Sequence, residues 1–107
     1  VNGAESGKLL VVGWGGTYGH LLSAVQEVRE AGIDVSFAHF DYIMPLPRNT
    51  EKVLGNFDKI LVCELNSGHF VNYLRGVMPQ FKYEQFNKVQ GQPFLVQEIV
   101  GAIKENL

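Results

Sequence analysis

The sequence predicts a three-layer α/β/α domain built on a mainly parallel sheet, and three observations predict it. An apolar run, Leu9 to Val12, ends in a glycine-rich turn, Gly13-Trp14-Gly15-Gly16-Thr17-Tyr18-Gly19, and an amphipathic stretch follows at once. That is the strand, tight loop and helix that open a Rossmann-like unit. The alternation of short apolar run and helical period then continues to a total of four strand–helix units, without internal repeat or low-complexity segment. The first run is apolar on both faces, as in a strand covered by helices on each side. Right-handed crossovers make the strands parallel, and the expected spatial order is two-one-three-four.

Each element follows from its residues. Val1 to Gly7 holds two glycines and no period and reads as a lead-in, with the domain running over residues 8–107. Lys8 to Gly13 is the first strand. Thr17 is placed to cap a helix that runs to about Ala31, with Leu21, Val25 and Val28 facing the core, Leu22 beside them, and Glu27, Arg29 and Glu30 facing water. Gly32 is its stop. Ile33 to Phe40 is the second strand, rich in β-branched and aromatic residues. Pro45 and Pro47 hold Asp41 to Pro47 extended. Asn49 caps a short helix that buries Val53, Leu54 and Phe57, and Asn56 to Asp58 returns the chain. Lys59 to Leu65 is the third strand. A helix with Phe70, Leu74, Val77 and Met78 on one face follows and ends at Pro79. Phe81 to Asn87 is a more polar edge strand. Pro93 suits the first turn of a last helix whose stripe is Leu95, Ile99, Ala102 and Ile103.

Composition excludes several functions. The 107 residues are 46% hydrophobic and 19% charged, which suits one ordered domain with a core. A net charge of −2 leaves no basic excess for nucleic acid or an anionic membrane. No apolar run approaches the roughly 20 residues that span a bilayer. The lone Cys63 rules out an internal disulfide and any CxxC motif, and fits a reducing, cytoplasmic setting. The chain starts at Val1 rather than Met and reads as a piece of something longer.

The residues that could carry chemistry gather at one edge of the expected sheet. In an order of two-one-three-four the chain reverses direction between strands one and three, where open α/β sheets favour ligands. The walls there would be Gly13 to Thr17 and Glu64 to Ser67. Gly15, Gly16 and Thr17 are candidates for an anion site at a helix N-terminus; the other reading is that the glycines let helix and sheet pack closely. Counted from Gly13, the sixth residue of a dinucleotide fingerprint is Tyr18, and no P-loop is present. Glu64, Asn66 and His69 could supply an acid–base pair; the other reading is that they satisfy loop backbone and cap the next helix. Ser67 is in no nucleophile elbow. His20, His39 and His69 are too scattered for a metal signature, and Cys63 reads as a small buried hydrophobe. Trp14 either fills the core or anchors a neighbouring domain. Tyr42, Ile43, Met44 and Leu46 make an unusually apolar loop, which points to burial under a partner domain or subunit.

A set of motifs then occurs in order: the Gly13–Gly19 turn, Pro45-Leu46-Pro47, Phe57-Asp58-Lys59-Ile60, Glu64-Leu65-Asn66-Ser67-Gly68-His69, Leu74-Arg75, and Gly91-Gln92-Pro93-Phe94. Together they resemble the C-terminal, transketolase C-terminal-like domain of the alpha chain of 2-oxoacid:ferredoxin oxidoreductases, closest to the 2-oxoglutarate type. The resemblance covers nearly all of the chain from Gly7 on. It departs at His69, where the family often has Gln. It also implies an extra antiparallel edge strand, for which Val1 to Ser6 is too short. What it implies for the parent enzyme is oxidative decarboxylation of a 2-oxoacid to an acyl-CoA, with thiamine diphosphate, Mg²⁺, iron–sulfur clusters and ferredoxin. For this domain it implies no catalytic residue, no metal and no cofactor. It would be a structural module against other domains of the alpha chain and the beta subunit. The alternative reading is a small-molecule module binding an anion, phosphate or CoA at Gly13–Thr17.

Overall fold

The computed structural model describes residues 3, 5–14, 18–40, 50–64, 69–87 and 96–107, apart from the side chains of Trp14, Tyr18, Phe40, His69 and Asn87. Among the described residues four strands and four helices alternate. They are β1 (Gly7–Trp14), α1 (Tyr18–Glu30), β2 (Ser36–Phe40), α2 (Thr50–Gly55), β3 (Phe57–Glu64), α3 (His69–Val77), β4 (Tyr83–Asn87) and α4 (Val96–Glu105). All strand pairs are parallel, and the order is β2-β1-β3-β4, as the crossover argument requires.

β1 is central because it has no polar face. Leu9, Leu10, Val11 and Val12 are all essentially inaccessible to solvent. Alternation sends them to two cores. Leu9 and Val11 meet α1 and α4 through Leu21, Val25, Ile99 and Ile103. Leu10 and Val12 meet α2 and α3 through Leu54, Phe70 and Leu74. Helices therefore cover both faces, which gives three layers.

Several boundaries differ from the sequence expectation, each for a physical reason. The second strand begins at Ser36 rather than Ile33. Gly32 takes φ +87°, its N–H reaches the Arg29 carbonyl and the Ile33 N–H reaches the Val28 carbonyl. This Schellman closure of α1 uses up the start of the expected strand. Arg29 was expected to face water; it is half-buried, and its Nε donates to the Val35 carbonyl at 2.8 Å. The third strand begins at Phe57 rather than Lys59, because Gly7 pairs with Phe57 in register and bonds the Asn56 carbonyl. The residues expected to return the chain are thus already in the sheet, and Gly7 belongs to β1 rather than to a lead-in. In α3 the buried stripe is Phe70, Val71 and Leu74, continued by Met78, while Val77 is 53% exposed. At about 100° per residue Val77 lies on the margin of that stripe, in the last turn. Val53 is only half-buried, and Val100 joins the stripe of α4. β4 starts at Tyr83, two residues after the expected Phe81. Asn49, Pro93 and Leu95 lie outside the described residues.

Gly101 is an exposed residue in the middle of α4, and a Cβ built there would meet nothing within 4 Å. Gly101→Ala is expected to stabilise the chain by about 0.5–1 kcal/mol, because alanine loses less backbone entropy in a helix. A thermal melt should show a rise of a few degrees.

Candidate functional site

The strand register assembles the C-terminal edge of the sheet. His39, Gly13, Cys63 and Phe86 stand side by side across β2, β1, β3 and β4, and Glu64 stands opposite Asn87 one step further on. The chain reverses direction between β1 and β3, so the edge is the expected switch point. Of the proposed walls, Gly13, Trp14 and Glu64 are strand residues. Gly15, Gly16, Thr17, Asn66 and the loop residues Tyr42, Ile43, Met44 and Leu46 lie outside the described residues, as do the side chains of Trp14 and His69.

Glu64 is the most informative group at this edge. It is 1% exposed, and both of its oxygens are engaged. Oε1 accepts the Phe70 N–H at 2.7 Å, and Oε2 accepts the Val71 N–H at 2.9 Å. A helix begins with N–H groups that have no intrahelical acceptor. The last residue of β3 satisfies two of them for α3, and its negative charge sits at the positive end of the helix dipole. The carboxylate that could have served as an acid or base is thus spent on joining strand to helix.

Cys63 is fully buried, and burial pushes its thiol from 9.0 up to about 12, with the neighbouring Glu64 charge adding to the shift. A thiol so far from ionisation is a poor nucleophile. Burial likewise raises the Tyr83 phenol from 10.0 to about 12, while its hydroxyl donates to the Met78 carbonyl at 2.9 Å. Both groups ionise more easily in the unfolded chain. Their contribution to stability is complete below pH 9 and is lost as the pH rises toward 12. Urea midpoints measured across that range should fall, and Cys63→Ala should remove the earlier part of the fall.

A cleft of about 650 Å³ opens at the other end of the sheet, where sequence reasoning had placed nothing. Lys8, Asp34, Asn56 and Asp58 line it. They come from three places in the chain, which only the fold joins. Both carboxylates are exposed. Among the described residues no group of three His, Cys, Asp or Glu could hold a metal ion. An iron–sulfur cluster needs several cysteine ligands, and the chain has one cysteine, so the residues present do not fit that group. Among the described residues no helix is long and apolar enough to cross a membrane.

No family model matches the chain. Comparison with individual proteins decides its relationship. It is 38% identical over 104 residues to 2-oxoglutarate oxidoreductase subunit KorA of Mycobacterium tuberculosis, and 28% identical over 105 residues to 2-oxoacid:ferredoxin oxidoreductase 1, subunit alpha, of Aeropyrum pernix. Each match covers 94% of this chain. The chain is homologous to part of the alpha subunit of 2-oxoacid:ferredoxin oxidoreductases. It spans only 15% and 16% of the length of these two relatives. Among solved structures, the 2-oxoglutarate:ferredoxin oxidoreductase from Magnetococcus marinus, with 2-oxoglutarate, coenzyme A and succinyl-CoA bound, superposes with a TM-score of 0.87 at 24% identity. That match covers 99% of this chain and 18% of the other. A split-gene transketolase in an inactive tetramer gives 0.74 at 14% identity, covering 94% of this chain and 38% of the other. The fold is therefore that of a transketolase C-terminal-like domain, as the ordered motifs had implied.

Proposed function

We propose that this oxidoreductase segment is a non-catalytic, inter-subunit domain of the alpha subunit of a thiamine-diphosphate-dependent, 2-oxoglutarate-type enzyme. The parent reaction would be oxidative decarboxylation of a 2-oxoacid to acyl-CoA in the cytoplasm, with Mg²⁺, iron–sulfur clusters and ferredoxin supplied or met elsewhere in the assembly. The observation that carries this reading is the 38% identity to a 2-oxoglutarate oxidoreductase subunit across nearly the whole chain. Glu64 and Cys63 support it, because the two buried reactive groups at the switch point serve the fold rather than a substrate. The contacts with the other alpha-chain domains and the beta subunit fall to Trp14, Tyr42, Ile43, Met44 and Leu46.

Mixing tests the proposal. The chain is combined with the rest of its alpha subunit and with the beta subunit, then passed over a sizing column. Co-elution is expected, with turnover only in the mixture, and Ile43→Ser should weaken it while leaving the melting temperature of the isolated chain near wild type. Turnover by the isolated chain would sink the proposal. Heat on titrating phosphate, coenzyme A or thiamine diphosphate into the isolated chain would instead favour a ligand at Gly15, Gly16 and Thr17.

A further inference from the structure

The outer edge of the sheet carries a second message. β4 is the last strand, paired with β3 on one side, and among the described residues no strand lies on its other side. The ladder decides which backbone groups face outward. Ile60 stands opposite Tyr83, and its N–H donates to the Lys82 carbonyl at 2.9 Å. In a parallel pair a residue bonds the two neighbours of its opposite number. The Lys82 carbonyl and the backbone of Glu84 and Phe86 therefore turn toward β3. The N–H and C=O groups of Tyr83, Gln85 and Asn87 turn away from it. Such a row is a template for another strand.

One position in the row is taken. Arg75, an exposed residue in the last turn of α3, donates from Nη2 to the Tyr83 carbonyl at 3.3 Å. The row is also self-complementary. An antiparallel second copy with Gln85 opposite Gln85 sets Tyr83 opposite Asn87 at both ends, so every outward residue meets an outward residue. Glu84 then falls opposite Phe86, and within β4 no like charges face each other. The strand has no proline to spoil the match. In that two-fold pairing each Tyr83 carbonyl would have to accept the Asn87 N–H of the other copy. The Arg75 guanidinium already occupies it, at both ends of the contact.

We propose that Arg75 guards the β4 edge, holding the Tyr83 carbonyl so that the strand does not pair antiparallel with β4 of a second copy of this chain. Sedimentation equilibrium on the wild-type chain, Arg75→Ala and Arg75→Gln tests it over one concentration range. The wild type is expected to stay monomeric. Both variants should dimerise more tightly by a factor on the order of ten or more, because two carbonyls are released per dimer. Gln85→Pro added to Arg75→Ala should return the monomer, since it removes an outward N–H that β3 does not use. Folded Arg75 variants that associate no more than wild type would overturn the proposal. So would association that survives Gln85→Pro, or a wild-type dimer that Gln85→Pro abolishes. Loss of the folded state in both Arg75 variants, seen by circular dichroism, would overturn it too, because a guard on an exposed edge is not part of the core.

Discussion

Val11→Asp is expected to leave no cooperatively folding chain. Val11 is fully buried at the centre of the middle strand, between Phe37 of β2 and Leu61 of β3 in register. Its side chain enters the core formed with Leu21, Val25, Ile99 and Ile103. The described members of that core that pack there offer no partner for a carboxylate. A charge in such a place stays unpaired, and even the protonated acid has no hydrogen-bond partner, at a cost of several kcal/mol. The total stability of a domain this size is only about 5–15 kcal/mol. Val11→Ala, which deletes methyl groups without adding a polar one, should cost about 2–3 kcal/mol and keep a two-state melt. The pair of variants separates polarity from lost volume. Circular dichroism should show the helix signal gone for the aspartate and retained for the alanine. A normal melt for Val11→Asp would mean that β1 is not the central strand.

β1 was also the element most legible in the sequence, for the same reason. A run apolar on both faces admits few other placements, and the glycine turn after it marks its end. Gly32 was legible as a helix stop because its φ of +87° is a conformation that glycine adopts freely. The start of β2 was not. Ile33 and Val35 look like strand residues, but α1 closes on the Ile33 N–H and the Arg29 side chain takes the Val35 carbonyl. Those claims come from outside the local pattern. The cleft at the far end of the sheet was hidden because Lys8, Asp34 and the Asn56–Asp58 stretch are distant in sequence and are brought together only by the fold. The contact of Arg75 with Tyr83 was hidden because it needs both the helix position and the direction of an edge carbonyl. At the switch point the location of Glu64 could be read from its place at the end of an apolar run. What it bonds could not be read, since its two partners lie six and seven residues further on.

Glu64→Ala is expected to be the most damaging change at that edge, at about 2–5 kcal/mol. Two buried N–H groups would lose their acceptor together, and each costs about 1–3 kcal/mol when left without one. Water reaches the site poorly, since the residue it replaces is 1% exposed. α3 has only nine residues and no acidic group in its own first turn, so Glu64 supplies the negative charge at its N-terminus. Glu64→Gln should fall between, because one oxygen still accepts while the amide nitrogen faces the second N–H. Hydrogen exchange locates the loss: the Phe70 and Val71 amides should exchange faster in Glu64→Ala than amides of α1, which Glu64 does not touch. Activity in the assembled enzyme adds a further test. If Glu64 acts only by joining β3 to α3, turnover should track the fraction of folded, assembled chain across Ala, Gln and wild type. A Gln variant that folds and assembles normally but turns over poorly would show that the carboxylate does chemistry, and the non-catalytic reading of the domain would fall with it.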